Sequence, residues 1–475
     1  MLLFILNIIE LTTYGSIMLS VGDEISPNLS SVLKSLSTTL YLLSTISGQL
    51  FFNIFSEIPL VAGPISEVSI SINGIMKEAY AENRDTFIAN GLFAIFLSTI
   101  LYSIFSFLLV PYSKYLRRFP LAISNGIMVG TGIMQFEVPT ILFNPSRLKY
   151  IILFTFVIFI ILVEKKYSLQ HFSFICAIIG TIILYIHKKE ENFSQPISFI
   201  QGFKIFANNN FKNLSRNTLL KLSPKIFSTC FLCLLQLPAN LLAYESITKK
   251  SFNFSKELKT QGIANILSSI FILPVYFICP YSTILSENML GRFDAFFLVL
   301  VFSVIFFVFN FVLKIVPLFI QSLFPVHIGL TMCLDYTYDA YLNSYIDLSI
   351  TLIVALSSIK FPMIISFVIG LIYSLIIRGI LRYKYGKQTI TTHVYENYTC
   401  FIFGKYLLFD YYNQLLSSNH TNIIVDITNN VYFDLNIRNI LHNIKEKNNL
   451  ILVTKKPLKD FKCFKRYEDA VESFK

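Results

Sequence analysis

Apolar residues along this chain come in long uninterrupted blocks separated by short polar breaks, and this spacing holds over the first 385 residues. A helix that crosses a bilayer needs about 20 mostly apolar residues. That length predicts spanning segments near 3–21, 37–56, 88–111, 119–141, 149–163, 169–187, 226–247, 260–274, 293–314, 318–340, 345–359 and 361–381. Two more stretches are apolar but short and broken: 60–76, opened by Gly63-Pro64, and 276–291, interrupted by Pro280 and closed by Gly291. Proline removes a backbone donor and clashes with the preceding turn, so each reads as an extended lead-in followed by a half-helix. With these two the count is about fourteen, and the broken stretches are third and tenth, each third within a set of seven. Matched broken segments in two halves are the mark of inverted repeats with the substrate held where they meet. An ordinary proline kink is the plainer reading of either stretch alone.

The blocks stop near residue 385, which divides the chain into a membrane domain, 1–385, and a polar, lysine-rich tail, 386–475. In the tail short strands alternate with helical stretches: Cys400–Phe403, then 411–417, Asn422–Asp426, 436–447, Leu450–Val453 and a last helix near 468–474. This is the pattern of a small α/β domain. It has no glycine-rich phosphate loop and no grouping of His with carboxylates, so it reads as a regulatory or assembly module, and the chain as no enzyme.

Composition agrees with a polytopic α-helical membrane protein. The chain is 54% hydrophobic and 14% charged, against about a quarter charged in soluble domains. Its mean hydropathy is +0.62. A net charge of +11 would suggest a nucleic-acid partner in a soluble protein. Here the basic residues lie mostly in short loops, where they set orientation and meet lipid headgroups. Lys114, Arg117 and Arg118, then Lys165 and Lys166, then Lys249, Lys250, Lys256 and Lys259, then Arg292 fall on one side, the cytosol, which puts both termini there too. One loop disagrees: residues 188–225 carry seven Lys or Arg against two Glu on the opposite side, together with N-x-S sequons at Asn192 and Asn213. The first segment has no basic start and no small-residue cleavage site, and reads as a retained helix. The seven Cys are scattered and the six His do not cluster, so no metal or cofactor is expected. Cys230 and Cys233 form a C-x-x-C inside an apolar run, where packing is the expected role.

Carboxylates inside apolar segments are costly and mark function by default. The candidates are Glu10, Glu57, Glu67, Glu137, Glu245, Glu287 and Asp335. Glu67 is the most informative, because it falls in the first turns after Gly63-Pro64, where a free helix N-terminus would otherwise favour an anion. It either competes for that place or caps its own helix. Glu245 either faces the site and takes up a proton or pairs with Lys249 one turn on. Gly126, Gly130 and Gly132 mark a close helix contact.

Several motifs resemble the SulP (sulfate permease) transporters. Leu237-Pro238-Ala239, Lys256-Glu257-Leu258 and Gln261-Gly262-Ile263-Ala264-Asn265 resemble the family's E-L-x-x-x-G-x-x-N stretch. Pro274-Val275 with Pro280-Tyr281-Ser282-Thr283 and Gly291 resembles its tenth segment, Gly63-Pro64 its third, and Tyr14-Gly15 its first. In the tail, Ile423-Ile424-Val425-Asp426 with Phe433-Asp434 resembles its STAS domain. The resemblance implies a seven-plus-seven inverted repeat, a core moving against a gate, homodimers, and a secondary active transporter with substrate between the half-helices. The implied substrate site is Tyr14, Gly63, Pro64, Ser66, Glu67, Glu245, Tyr281, Ser282 and Thr283. Two departures stand out: the family's tenth segment often has Ser-Arg where this chain has Pro280-Tyr281, and Asp434 is followed by Leu435-Asn436 where phosphorylation-switched STAS domains place Ser. In detail, Tyr14-Gly15 with Glu67 and Tyr281-Ser282 through Gly291 resembles a fungal vacuolar branch of the family associated with basic amino acids, which agrees with the charge, since gaining Glu67 and lacking a basic side chain both make the site less positive. The expectations are therefore a carrier of a small inorganic anion such as sulfate, a vacuolar-type carrier of basic amino acids with a coupled proton, or a non-transporting scaffold. The membrane would be the plasma or the vacuolar membrane.

Overall fold

The structure, a computed structural model, describes residues 12–21, 27–58, 62–63, 66–113, 121–143, 146–167, 213–248, 253–269, 277–278, 318–385, 390–395, 398–403, 406–407, 422–428, 432–433, 449–454, 462–465 and 467–472, with scattered residues at 172–180, 296–304 and 441–445. Its long helices are α1 (Pro27–Phe55), α2 (Ser66–Glu82), α3 (Phe87–Leu108), α4 (Leu121–Met134), α5 (Val138–Phe143), α6 (Arg147–Tyr167), α7 (Arg216–Thr248), α8 (Phe254–Ser269), α9 (Leu318–Asn343), α10 (Tyr345–Lys360) and α11 (Met363–Tyr385), with two short strands, β1 (Ala62–Gly63) and β2 (Phe277–Ile278), between them. Among the described residues four stretches are long and apolar enough to cross a membrane: Phe87–Leu108, Arg216–Pro238, Leu318–Asn343 and Met363–Tyr385.

Several helices outrun the apolar pattern, because amphipathic turns at their ends fall below a hydropathy window. Helix α1 starts at Pro27 rather than near 37, and α2 runs on to Glu82 rather than stopping at 76. Helix α7 starts at Arg216, so Arg216, Lys221 and Lys225, placed by the pattern in the dissenting loop, are helical instead. They have partners there: Lys221 Nζ lies 2.5 Å from Glu82 and Lys225 Nζ 2.8 Å from Glu78. Charge in that region thus fastens α7 to α2, which lowers its weight as an orientation signal.

The described residues gather into two compact units, Met1–Arg117 with Gly130–Cys333 and Pro362–Ile364, and Arg118–Val129 with Leu334–Phe361 and Ile365–Lys475. In the first, α3 packs on α2, α7 and α8, and α1 packs on α8. Hydroxyls dominate these dry contacts, and each returns its proton to its own helix: Thr38 to Lys34 O (2.8 Å), Thr45 to Tyr41 O (2.9 Å), Thr99 to Ile95 O (3.0 Å), Ser106 to Tyr102 O (2.8 Å). Satisfied small polar residues let backbones approach where no water is at hand. Helix α6 is apolar all round: Leu153, Val157, Ile160 and Ile161 pack against Leu323 and Val326 of α9, whereas Leu148, Ile151, Ile152, Ile158, Phe159 and Leu162 are exposed. An exposed apolar face of that size is one a bilayer covers.

The E-L-x-x-x-G-x-x-N stretch proves to be a joint. Glu257, fully buried, accepts from Ser56 Oγ (2.7 Å) and Glu57 N (2.8 Å). Glu57 in turn holds Lys256 Nζ at 3.1 Å and accepts from Asn253 N at 3.0 Å, so this carboxylate ties two helix ends together. Gly262 leaves room for Phe107, whose ring a Cβ would meet at 2.8 Å.

In the second unit, Gly126 lies where a Cβ would be 2.5 Å from Val354 Cβ, and the Thr351 hydroxyl donates to Ala122 O at 3.0 Å. The tail holds a five-stranded sheet of order β3-β4-β6-β8-β9, made of β3 (Ile390–Val394), β4 (Thr399–Phe403), β6 (Asn422–Asp426), β8 (Asn449–Val453) and β9 (Lys462–Phe464), plus a β5 (Tyr406–Leu407) and β7 (Tyr432–Phe433) pair. Pairing is parallel except for the edge strand β3. Alternate residues serve two cores: Phe401, Phe403, Ile423, Val425, Leu450 and Leu452 pack with Leu441 and Ile444, while Cys400, Ile424, Ile451 and Val453 pack with Ala470 of α12 (Tyr467–Glu472). Burial of both faces explains why these strands read as continuous apolar runs. Strands β3 and β9 escaped the pattern because they are edges with polar alternation. Asp434, Leu435 and Asn436 lie outside the described residues.

Candidate functional site

The two broken stretches meet. Strand β1 pairs antiparallel with β2, Ala62 opposite Ile278 and Gly63 opposite Phe277, which sets the chains about 5 Å apart. Strand β1 lies against α1 and β2 against α7. Helix α2 begins at Ser66, three residues past Gly63, with Glu67 as its second residue. Its first N–H groups have no acceptor within the helix. At 17 residues and about 1.5 Å per residue, α2 is roughly 25 Å long, short of a bilayer core of about 30 Å.

Tyr14 belongs to the first segment. It is buried, and its hydroxyl donates to Gln135 Oε1 at 2.9 Å. Gln135 belongs to a 3-10 turn, Gln135–Glu137, that interrupts the run from α4 into α5. The neighbouring Thr13 donates to Gln321 O of α9 at 3.1 Å, and Leu19 N donates to Ser37 Oγ of α1 at 3.1 Å. Asn73 of α2 donates to Ile17 O (2.8 Å) and Ser20 Oγ (3.0 Å). Gly15 packs against Tyr41, where a Cβ would make ordinary contact at 3.4 Å. The first segment is thereby stitched to α1, α2, α9 and the 3-10 turn. Behind it Gly132 and Gly329 let α4 and α9 touch backbone to backbone: a Cβ on Gly132 would be 2.8 Å from Gly329 O, and one on Gly329 would be 2.5 Å from Gly132 O.

Of the expected site residues, Tyr14, Gly63, Ser66 and Glu67 are placed at the first segment, the strand ladder and the start of α2. Glu245 is on α7, the helix that meets β2. Pro64, Tyr281, Ser282 and Thr283 lie outside the described residues, as do Glu10 and Glu287. Glu137 and Asp335 are exposed. Gln236 of α7, Gln261 and Ser268 of α8 and Ser322 of α9 carry buried side-chain atoms with no hydrogen-bond partner among the described residues.

The sequence reading passed over two kinds of residue. Buried amides such as Asn73, Gln135 and Gln321 carry no charge, so a search for intramembrane carboxylates misses them. His327 and Glu164, 163 positions apart, pair at 2.8 Å; the His seemed isolated in sequence and the Glu sits just beyond the predicted end of its segment, 149–163. Cys230 and Cys233 are both buried on α7.

No protein-family profile matches the sequence, and no curated protein matches it in sequence. Solved structures do match in fold. The transmembrane domain of the cyanobacterial bicarbonate transporter BicA superposes with a TM-score of 0.56 at 13% identity, over 79% of this chain and 96% of its own. SLC26A9 superposes at 0.51 and 13% identity, over 99% of this chain and 90% of its own. The murine Slc26a9 anion transporter in its inward-facing state gives 0.52 at 12% identity, over 98% and 87%. The chain therefore has the fold of these polytopic helical membrane transporters.

Proposed function

We propose that this chain is a secondary active transporter of a small inorganic anion, with its site at the β1–β2 ladder between the start of α2 and the tenth segment. The observation that carries the reading is the ladder itself. Gly63 and Phe277 lie opposite each other, so α2 opens three residues past a non-helical crossing of the two broken stretches. Irregular backbone at membrane depth is tolerated where it lines a solute path. The fold likeness supports the anion, since the matching structures are a bicarbonate transporter and an anion transporter.

Sulfate is the finer choice drawn from the sequence resemblance, and Glu67 bears on it. An ionised carboxylate about 5 Å from a dianion, at an effective dielectric near 20, repels it by roughly 2 × 332/(20 × 5), about 7 kcal/mol; a monoanion meets about half of that. Sulfate then binds when Glu67 is protonated or turned away, and a monoanion binds more readily. The same Glu67, as second residue of α2, favours a second reading in which a basic amino acid gives its side chain to Glu67 and its α-carboxylate to the helix N–H groups. Purified protein in proteoliposomes decides between them. Uptake of labelled sulfate, bicarbonate or chloride with little labelled arginine is the expected result; arginine alone would establish the second reading, and uptake of none would leave the scaffold. The tail, from residue 386, is proposed as a STAS-like regulatory or assembly domain, and the working state as a homodimer.

A further inference from the structure

We infer that His327 and Glu164 form a proton-binding site that gains and loses one proton as the carrier cycles; this rests on the transporter reading above. His327 Nε2 lies 2.8 Å from Glu164 Oε2, joining α9 to α6. Their side chains are only 3% and 15% exposed, whereas both side chains of every other described ion pair are at least 29% exposed. Around them are Leu323 and Val326 of α9 and Ile160 and Ile161 of α6. An ionisable pair in such surroundings within a membrane protein marks a proton path or a coupling site by default.

The second ring nitrogen carries the argument further. The large majority of buried side-chain polar atoms have a hydrogen-bond partner, and each exception asks for an explanation. His327 Nδ1 is buried and has no hydrogen-bond partner among the described residues. With Nε2–H donated to an ionised Glu164, Nδ1 is a bare acceptor and the pair carries one negative charge. One proton taken on by the ring or by the carboxyl brings the pair to neutrality without breaking the 2.8 Å bond; its release restores the charge. Burial makes these two states unequal in any environment whose water access changes.

Both helices are also tied to the candidate site. On α9, Gln321 O receives the Thr13 hydroxyl, six positions before His327. On α6, the Tyr150 hydroxyl donates to Phe136 O, next to the Gln135 that holds Tyr14. A shift of the first segment therefore reaches α6 and α9 separately and changes how they meet. Other ionisable groups near the pair are Cys176, beside Glu164; Lys165 and Lys166, exposed on α6; and Cys333 on α9. Glu137 lies beside Tyr150, which is 14 positions from Glu164 along α6, or about 21 Å.

Two measurements on the full chain test the site. In pH-difference infrared spectra of purified protein, a carboxylic-acid band that titrates should vanish in Glu164→Gln and move its midpoint by about one pH unit or more in His327→Gln. In proteoliposomes loaded with sulfate, His327→Gln should keep counterflow of labelled sulfate at equal pH on both sides. It should lose about tenfold of the stimulation by a pH gradient, an ordinary size for coupling between two sites. Glutamine can still donate to Glu164, so folding is spared, and a melt equal to wild type checks that. The inference is overturned by a spectrum with no band sensitive to Glu164→Gln, by variants that keep full gradient stimulation, or by variants that lose counterflow and gradient-driven uptake alike. A wild type that carries no anion removes the transporter reading instead, while the infrared arm still judges the proton site.

Discussion

Gly132 and Gly329 should be the least replaceable contact in the first unit, and a methyl group on either measures how tightly α4 and α9 are joined. A Cβ on Gly132 would lie 2.8 Å from Gly329 O, 3.1 Å from Cys333 Sγ and 3.2 Å from Met332 Cβ. One on Gly329 would lie 2.5 Å from Gly132 O, 2.9 Å from the Phe136 ring and 3.0 Å from Gln135 Cβ. Comfortable contact begins near 3.4 Å, so the helices must part by about 0.6 Å for Gly132→Ala and about 0.9 Å for Gly329→Ala. The obstacle is backbone and cannot rotate away, which places the cost at the upper end of the usual range for overpacking, about 2–3 kcal/mol each. One opened gap admits both methyls, so the double variant should cost at least about 1 kcal/mol less than the sum. Reversible denaturation in mixed micelles reads this. The two single variants should also differ in function: Gly329→Ala presses on Gln135, which holds Tyr14, and should lower anion uptake more than Gly132→Ala at matched stability. Wild-type stability in either variant, or strict additivity in the double, would refute the close approach.

The other predictions are shorter. Glu67→Gln should leave small-anion uptake intact or raise apparent sulfate affinity by tenfold or more, given a repulsion of roughly 7 kcal/mol at about 5 Å, and should abolish any uptake of arginine; a variant that loses sulfate uptake but keeps arginine uptake contradicts the charge argument. Glu257→Ala should cost about 1–3 kcal/mol because it strands the Glu57 N–H, and Glu257→Gln clearly less, both read as shifts in the denaturation midpoint. Lys225→Met breaks the pair with Glu78 and the bond to Gly74 O (2.9 Å); since both side chains are partly exposed, the loss should stay near or below about 1 kcal/mol, and a larger drop would mean that α2 depends on this tie. Val425→Asp puts a charge into the tail's core and should cause proteolysis of residues 386–475 to outpace that of the membrane helices.

Much of this protein is written in its one-dimensional pattern. Apolar blocks about as long as a bilayer is thick leave a helix few alternatives, so α3, α6, α9, α10 and α11 stand within a few residues of where the blocks predict them. Gly63-Pro64 likewise denies a straight helix, and the runs at 400, 422 and 450 are central strands because both faces of their sheet are covered. Helix ends were less legible: the first turns of α7 and the last of α2 are polar on one side, and only the Lys221–Glu82 and Lys225–Glu78 pairs explain why they stay helical. That the two broken stretches meet was legible from their matched rank, but the register of that pairing and the side-chain partners across long separations were not. Gly63 opposite Phe277, Tyr14 on Gln135 and His327 on Glu164 join residues 214, 121 and 163 positions apart. Hydropathy reports what a residue wants to avoid, namely water or lipid, and that is local; which partner answers a buried donor or charge depends on how the helices cross, and only the packed structure decides it.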